Sequence, residues 1–125
     1  MKIGILTSSR ADFGIYLPLL KRLAKDQKFE TKIIAFGTHL SSFYGSTANE
    51  ITGNGFKIDY TVESMVLTDS PNAISTSIGL TIIKFADFWR NSAKTFDLVF
   101  CLGDRYEMMA AVVAGVPFGI TFAQC

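Results

Sequence analysis

Apolar positions along this chain change period several times. Lys2 to Thr7 is a short apolar run, and beyond it Ile15, Leu19, Leu20 and Leu23 recur at helical spacing up to the polar stretch Lys25 to Lys28. That predicts a strand followed by a helix. Thr31 to Phe36 predicts a second strand closed by Gly37, and the Ser/Gly-rich segment His39 to Ser46 a loop. Phe56 to Tyr60 reads as a weak third strand. After Ser70-Pro71, Ile74, Ile78, Ile82, Phe85 and Trp89 repeat at helical spacing to about Ala93. Asp97 to Leu102 is an almost wholly apolar strand, Tyr106 to Ala114 a helix, and Pro117 to Phe122 a last strand.

Strands that alternate with helices and are apolar on both faces belong to a parallel sheet covered on two sides. Right-handed crossovers then give an α/β, doubly wound, Rossmann-like sheet of about five strands in the order 3-2-1-4-5. Repeats, low-complexity stretches and linkers are absent, so residues 1–125 read as a single domain. In such a sheet ligands bind beyond the carboxyl ends of the strands, at the switch point between the first and fourth. Two loops should carry the chemistry: Ser8 to Gly14 and Gly103 to Glu107.

Composition narrows the partners. With 12 Lys+Arg against 11 Asp+Glu and no basic run, the chain lacks the clustered cations of a nucleic-acid binder or a polybasic membrane anchor. Its 49% hydrophobic content supplies a core and argues against disorder. The apolar run at the N-terminus is too short for a signal peptide, and Met108 to Cys125, interrupted by Gly115, Pro117 and Gly119, is too short to span a bilayer. A cytoplasmic location is expected. Cys101, in an apolar run, and Cys125 show neither metal nor disulfide spacing. Cys101 is expected in the core.

The polar residues concentrate in the two loops. Thr7-Ser8-Ser9-Arg10-Ala11-Asp12-Phe13-Gly14 and Gly103-Asp104-Arg105-Tyr106-Glu107 each lie where a strand yields to a helix. Each offers backbone N–H groups and a guanidinium suited to phosphate or carboxylate oxygens. A plainer reading stands beside this one: Asp12 and Asp104 as N-caps of their helices, with Arg10 a surface neighbour. As a lone histidine, His39 is more often a hydrogen-bonded loop residue than a catalyst. The aromatics Phe13, Tyr16, Phe85, Phe88 and Trp89 are expected to pack helices on the sheet, and Lys21-Arg22 to face solvent. G-x-G-x-x-G, the P-loop and the G-x-S-x-G elbow are all missing, so a dinucleotide enzyme, a kinase and a serine hydrolase are set aside. A receiver-like module also fits poorly, since no phosphoacceptor Asp follows the third strand in an obvious loop.

Six segments occur in one order: Ser9-Arg10-Ala11-Asp12-Phe13-Gly14, Gly37-Thr38-His39-Leu40-Ser41, Tyr44-Gly45-Ser46-Thr47, Asp69-Ser70-Pro71, Ser77-Ile78-Gly79-Leu80 and Leu102-Gly103-Asp104-Arg105-Tyr106-Glu107. The series resembles the N-terminal domain of hydrolysing UDP-N-acetylglucosamine 2-epimerases of the sialic acid and legionaminic acid pathways, from Lys2 to about Gly119. The resemblance implies the N-terminal half of a glycosyltransferase B type fold, with a UDP-sugar held between two Rossmann-like halves and no metal or cofactor. It implies a reaction in which the sugar loses its C2 proton and eliminates UDP to give a glycal, to which water adds. By position, Arg10 and Arg105 match residues that meet the UDP-sugar, and Gly14 matches backbone close to the phosphates. Asp104 matches the cleft aspartate, a candidate for acid/base work. Asp12, His39 and Glu107 match supporting positions.

The match departs at the last strand. Family members continue there into a His- and Gly-rich turn ending in a glutamate and then a second, UDP-binding domain, whereas this chain reads Ile120-Thr121-Phe122-Ala123-Gln124-Cys125. The expectation is half of an active site without turnover of its own. The alternative is a stand-alone α/β module that binds a small anion or a partner and has lost catalysis. A homodimer is a further expectation, with the helix bearing Ile82, Phe85 and Trp89 as its contact surface.

Overall fold

The computed structural model describes residues 1–40, 47–64, 70–103 and 105–124. Five strands form one parallel sheet in the order β3-β2-β1-β4-β5, the expected 3-2-1-4-5. They are β1 (Lys2–Thr7), β2 (Glu30–Phe36), β3 (Tyr60–Val62), β4 (Leu98–Cys101) and β5 (Phe122–Gln124). Helices α1 (Arg10–Ala24), α2 (Ala48–Gly53), α3 (Pro71–Ser92) and α4 (Tyr106–Gly115) connect them. Single turns of 3₁₀ helix at Gly37–Leu40, Ala93–Thr95 and Val116–Phe118 complete the described elements.

Alternation along β1 sets the two layers. Ile3 and Ile5 join Phe13, Tyr16, Leu20, Ile33, Ala35 and Ile51 beneath α1 and α2. Leu6 turns to the other face and meets Ile34, Phe36, Phe85, Trp89, Val99, Met108 and Ala111 beneath α3 and α4. The aromatics do pack as expected: Phe36 and Phe85 meet edge-to-face at 4.9 Å, and the Trp89 indole N–H donates to the Ala111 carbonyl at 3.0 Å. Lys21 and Arg22 are exposed, and Cys101 is buried.

Register is tied at the amino ends of the strands. The Lys2 N–H donates to the Asp97 carboxylate at 2.7 Å while the Asp97 N–H returns to the Lys2 carbonyl at 2.8 Å. Asp59 makes the same reciprocal pair with Ile33, at 2.8 and 3.0 Å. These ties join the starts of β4 and β3 to their neighbours β1 and β2 before each ladder begins.

Three expectations need correction. The third strand is Tyr60–Val62 rather than Phe56 to Tyr60, because Phe56 and Ile58 pack against the α1-side core as connecting chain. The last strand is Phe122–Gln124 rather than Pro117 to Phe122. Pro117 lies in the turn Val116–Phe118, which Gly119 closes at φ 68°. The proposed dimer surface also fails in part: Phe85 and Trp89 are fully buried within this chain and offer no outward contact. Between the second and third strands the sequence allows a helix without placing it, and α2 forms there around one buried residue, Ile51. Ser41 to Ser46, Met65 to Asp69, Asp104 and Cys125 lie outside the described residues, and with them the Tyr44-Gly45-Ser46 and Asp69 parts of the motif series.

Candidate functional site

β1 and β4 are neighbours in the middle of the sheet, so the chain leaves both at the same edge. Between their exits lies a crevice of about 450 Å³, lined by Ser9, Ala11, Asp12 and Ile15 on one side and Leu102, Gly103 and Arg105 on the other, with Gln124 from β5. An apolar groove of about 680 Å³ continues from Leu102, Gly103 and Arg105 along Met109 and Val113 of α4.

The first loop is held by its own side chains. Ser9 is the N-cap of α1 and Asp12 its third residue, in a capping box where each side chain bonds the other's backbone. Asp12 is buried and far more heavily engaged than a cap requires. One carboxylate oxygen takes the Thr7 hydroxyl. The other takes the Ser8 N–H at 3.0 Å, the Ser8 hydroxyl at 2.9 Å and the Ser9 N–H at 3.2 Å. Its lone pairs are spent on holding the loop. The plainer reading of Asp12 is therefore close to the mark, with Ser9 rather than Asp12 as the N-cap. The box does not use the N–H groups of Arg10 and Ala11, which open the helix beside the crevice.

His39 stands behind this loop, wholly buried. Its Nε2 is 2.8 Å from the Thr7 hydroxyl and its Nδ1 3.0 Å from that of Thr47. Thr7 has one proton and gives it to Asp12, so Nε2–H must be the donor to Thr7 and Nδ1 must accept from Thr47. This assigns the tautomer from the hydrogen-bond network. Burial holds the His39 pKa below its ordinary value of 6.5, only partly offset by Asp12. The result is a chain of hydrogen bonds, Thr47 to His39 to Thr7 to Asp12, linking the residue before α2 to the start of α1. His39 is thus a hydrogen-bonded loop residue with no face on the crevice.

Gly37, at φ 61°, is required where β2 gives way to its 3₁₀ turn. A Cβ there would lie 3.1 Å from both Cβ and the carbonyl oxygen of Ser8. That carbonyl accepts from the Thr38 hydroxyl at 2.7 Å and the His39 N–H at 3.3 Å, which binds the exits of β1 and β2 together.

The second loop turns at Gly103, φ 105°. Arg105 is the N-cap residue of α4 and lines the crevice, with its side chain 43% exposed. Its Nε donates to Glu107, and its guanidinium lies 5.9 Å from the Tyr106 ring centre. Glu107 is completely buried. Arg10, by contrast, points to solvent and pairs with Glu50 of α2 at 3.5 Å. Gly14 is an exposed helical position with open space around it. Neither is among the residues lining the crevice. Asp104 lies outside the described residues. Among the described residues no group of three or more His, Cys, Asp or Glu could hold a metal ion, and no helix is long and apolar enough to cross a membrane.

The sequence profile of the family described as UDP-N-acetylglucosamine 2-epimerase matches residues 21–124. The chain belongs to the UDP-N-acetylglucosamine 2-epimerase family. Relatives include a hydrolysing UDP-N,N'-diacetylbacillosamine 2-epimerase of Legionella pneumophila, 33% identical over 95% of this chain and 31% of that protein. A hydrolysing GDP/UDP-N,N'-diacetylbacillosamine 2-epimerase of Campylobacter jejuni is 32% identical over 87% of this chain and 28% of that protein. The chain therefore spans under a third of the length of these relatives. Among solved structures, a UDP-N-acetylglucosamine 2-epimerase superposes with a TM-score of 0.82 at 14% identity, over 99% of this chain and 32% of the other. The Neisseria meningitidis UDP-GlcNAc 2-epimerase bound to UDP-GlcNAc gives 0.78 at 18% identity, covering 99% and 31%. These likenesses show the fold, the doubly wound domain of the epimerases' glycosyltransferase B type architecture.

Thr47 and Gln124 were not anticipated at the site. The capping box was legible, since Ser9-x-x-Asp12 before an apolar run is its sequence signal.

Proposed function

We propose that the chain is the N-terminal half of a hydrolysing UDP-sugar 2-epimerase acting on a UDP-2-acetamido sugar, with half of the active-site cleft on this domain. The observation that carries the reading is the crevice between the β1 and β4 exits, where Arg105 and the first turn of α1 flank one space in a member of this family.

The chemistry asks for what those residues supply. A base removes the C2 proton, and the electron pair forms the C1–C2 double bond as the C1–O bond breaks. UDP leaves with that bond's electrons, and water then adds its oxygen to C1 and a proton to C2. Negative charge grows on the diphosphate as C1–O breaks, where a guanidinium and helix N-terminal dipoles act most strongly. Arg105 takes that role from the crevice wall. Arg10 joins it by leaving Glu50, because an exposed pair of this kind is worth only about 0–1 kcal/mol. Asp104, next to Gly103 in the chain, is the proposed acid/base group. Asp12, His39 and Glu107 support the loops.

Titration of the 125-residue chain with UDP tests the reading. Saturable binding is expected, weakened at least about tenfold by Arg105→Ala and by Arg10→Ala, roughly the worth of one charge-assisted contact. Assayed alone with UDP-N-acetylglucosamine, the chain should release no UDP. Unchanged affinity in both variants would overturn the site, and turnover by the chain alone would overturn the half-site reading. Binding that both arginine variants abolish, combined with full-length relatives retaining no need for these positions, would favour the anion-binding module instead.

A further inference from the structure

Glu107 is unlike the other buried carboxylate at the site. Asp12 spreads its charge over several donors, whereas Glu107 Oε2 has no hydrogen-bond partner among the described residues although the side chain is completely buried. Its other oxygen accepts from Arg105 Nε. A glutamate in the first turn of α4 gains from the helix dipole, but only about 0.3–1 kcal/mol, and a solvent-facing one would gain as much. The dipole therefore leaves the burial unexplained. Burying a carboxylate with so little compensation costs several kcal/mol.

Its placement supplies the reason. The Glu107 Cγ lies 3.4 Å from where a Cβ on Gly37 would be, a point also 3.1 Å from Ser8 Cβ, so the buried side chain sits beside the exits of β1 and β2. From that fixed seat it bonds the nitrogen at the root of the Arg105 guanidinium. An unheld arginine side chain has about 2 kcal/mol of rotamer entropy to lose on meeting a ligand.

We propose that Glu107 is a positioning residue that fixes the guanidinium plane of Arg105 at the crevice for an anionic diphosphate. Being wholly buried, it touches no ligand. The proposal rests on the UDP-sugar reading for the identity of the anion, and inorganic diphosphate serves as the minimal probe.

The test uses the full chain, with UDP and inorganic diphosphate titrated into wild type, Glu107→Gln, Arg105→Ala and the double variant, alongside thermal melts. Glu107→Gln should weaken both ligands about tenfold while melting at or above wild type, since it removes a poorly compensated buried charge. A residue that only supports the fold would lower the melting temperature as well. In the Arg105→Ala background the same change should alter affinity less than about twofold, because positioning residues act through their partner. Wild-type affinity in Glu107→Gln, or an equal loss in both backgrounds, overturns the proposal. Should Glu107→Gln not fold, Glu107→Asp serves: it keeps the charge, falls short of Arg105 Nε, and should show the same loss in wild type but not in the Arg105→Ala background. If wild type binds neither UDP nor diphosphate, the functional reading fails. Positioning is then decided by the Arg105 Nε–H resonance, slow to exchange in wild type and fast in Glu107→Ala, with fast exchange in wild type overturning it.

Discussion

Gly37→Ala tests the packing behind the site in a way that separates two causes. At φ 61° an alanine enters the left-handed region, at a cost of about 1–2 kcal/mol. The new methyl would also press on Ser8 Cβ and the Ser8 carbonyl oxygen, each at 3.1 Å. That carbonyl is held by Thr38 and His39 and yields only by stretching their hydrogen bonds. Overpacking of this kind adds about 1–3 kcal/mol, for a total of roughly 3 kcal/mol. With an unfolding entropy near 2.1 cal/mol/K per residue, a domain of this length loses about 4 °C per kcal/mol, so the melting temperature should fall by about 12 °C. Gly103→Ala is the control. It shares the positive φ, at 105°, but has open space around it, so it should lose only the backbone share, about 4–8 °C. Gly14→Ala, helical and uncrowded, should hold or gain up to about 1 kcal/mol. Melts of the three variants followed by circular dichroism check the series. A Gly37→Ala chain that melts with Gly103→Ala would refute the tight seat at Ser8.

The buried histidine makes stability depend on pH. His39 is neutral in the fold with its pKa lowered, so below the unfolded value of about 6.5 the unfolded chain binds more protons. Its contribution is complete above that pH and is lost as pH falls through 6.5 toward the folded value, with a slope of at most about 1.4 kcal/mol per pH unit. Denaturant titrations at pH 7.5 and 5.5 should show this drop in wild type and a smaller one in His39→Asn; equal drops would remove His39 as the cause. Asp12→Ala should cost about 2–4 kcal/mol in the same assay, since it removes a capping box and leaves buried hydroxyls short of a partner. A loss below about 1 kcal/mol would mean that the loop holds without it.

Hydrophobic spacing revealed the central strands, the sheet order and the long helices because each buries a face, and burial writes its period into the sequence. The edges were less legible. Phe56 and Ile58 are apolar because they cover α1, not because they lie in a ladder, and α2 carries only Ile51 as a buried mark. The two loops of the site could be placed from the strand order alone. Which of their side chains face the crevice could not: Arg10 and Arg105 look alike in sequence, yet one pairs with Glu50 at the surface and the other lines the cleft. The relay through Thr7, His39 and Thr47 spans 32 residues between its first two members, and no local pattern encodes a hydrogen bond of that range.

The way the β1 loop satisfies itself bears on how a ligand would be received. Ser8, Ser9 and Thr7 close on Asp12 before anything enters the crevice, so folding has already ordered that wall. An arriving anion finds a preorganised surface and loses little conformational entropy in organising it. Binding at that wall should then proceed close to lock-and-key, with adjustment confined to Arg10, which must leave Glu50 to join the rim.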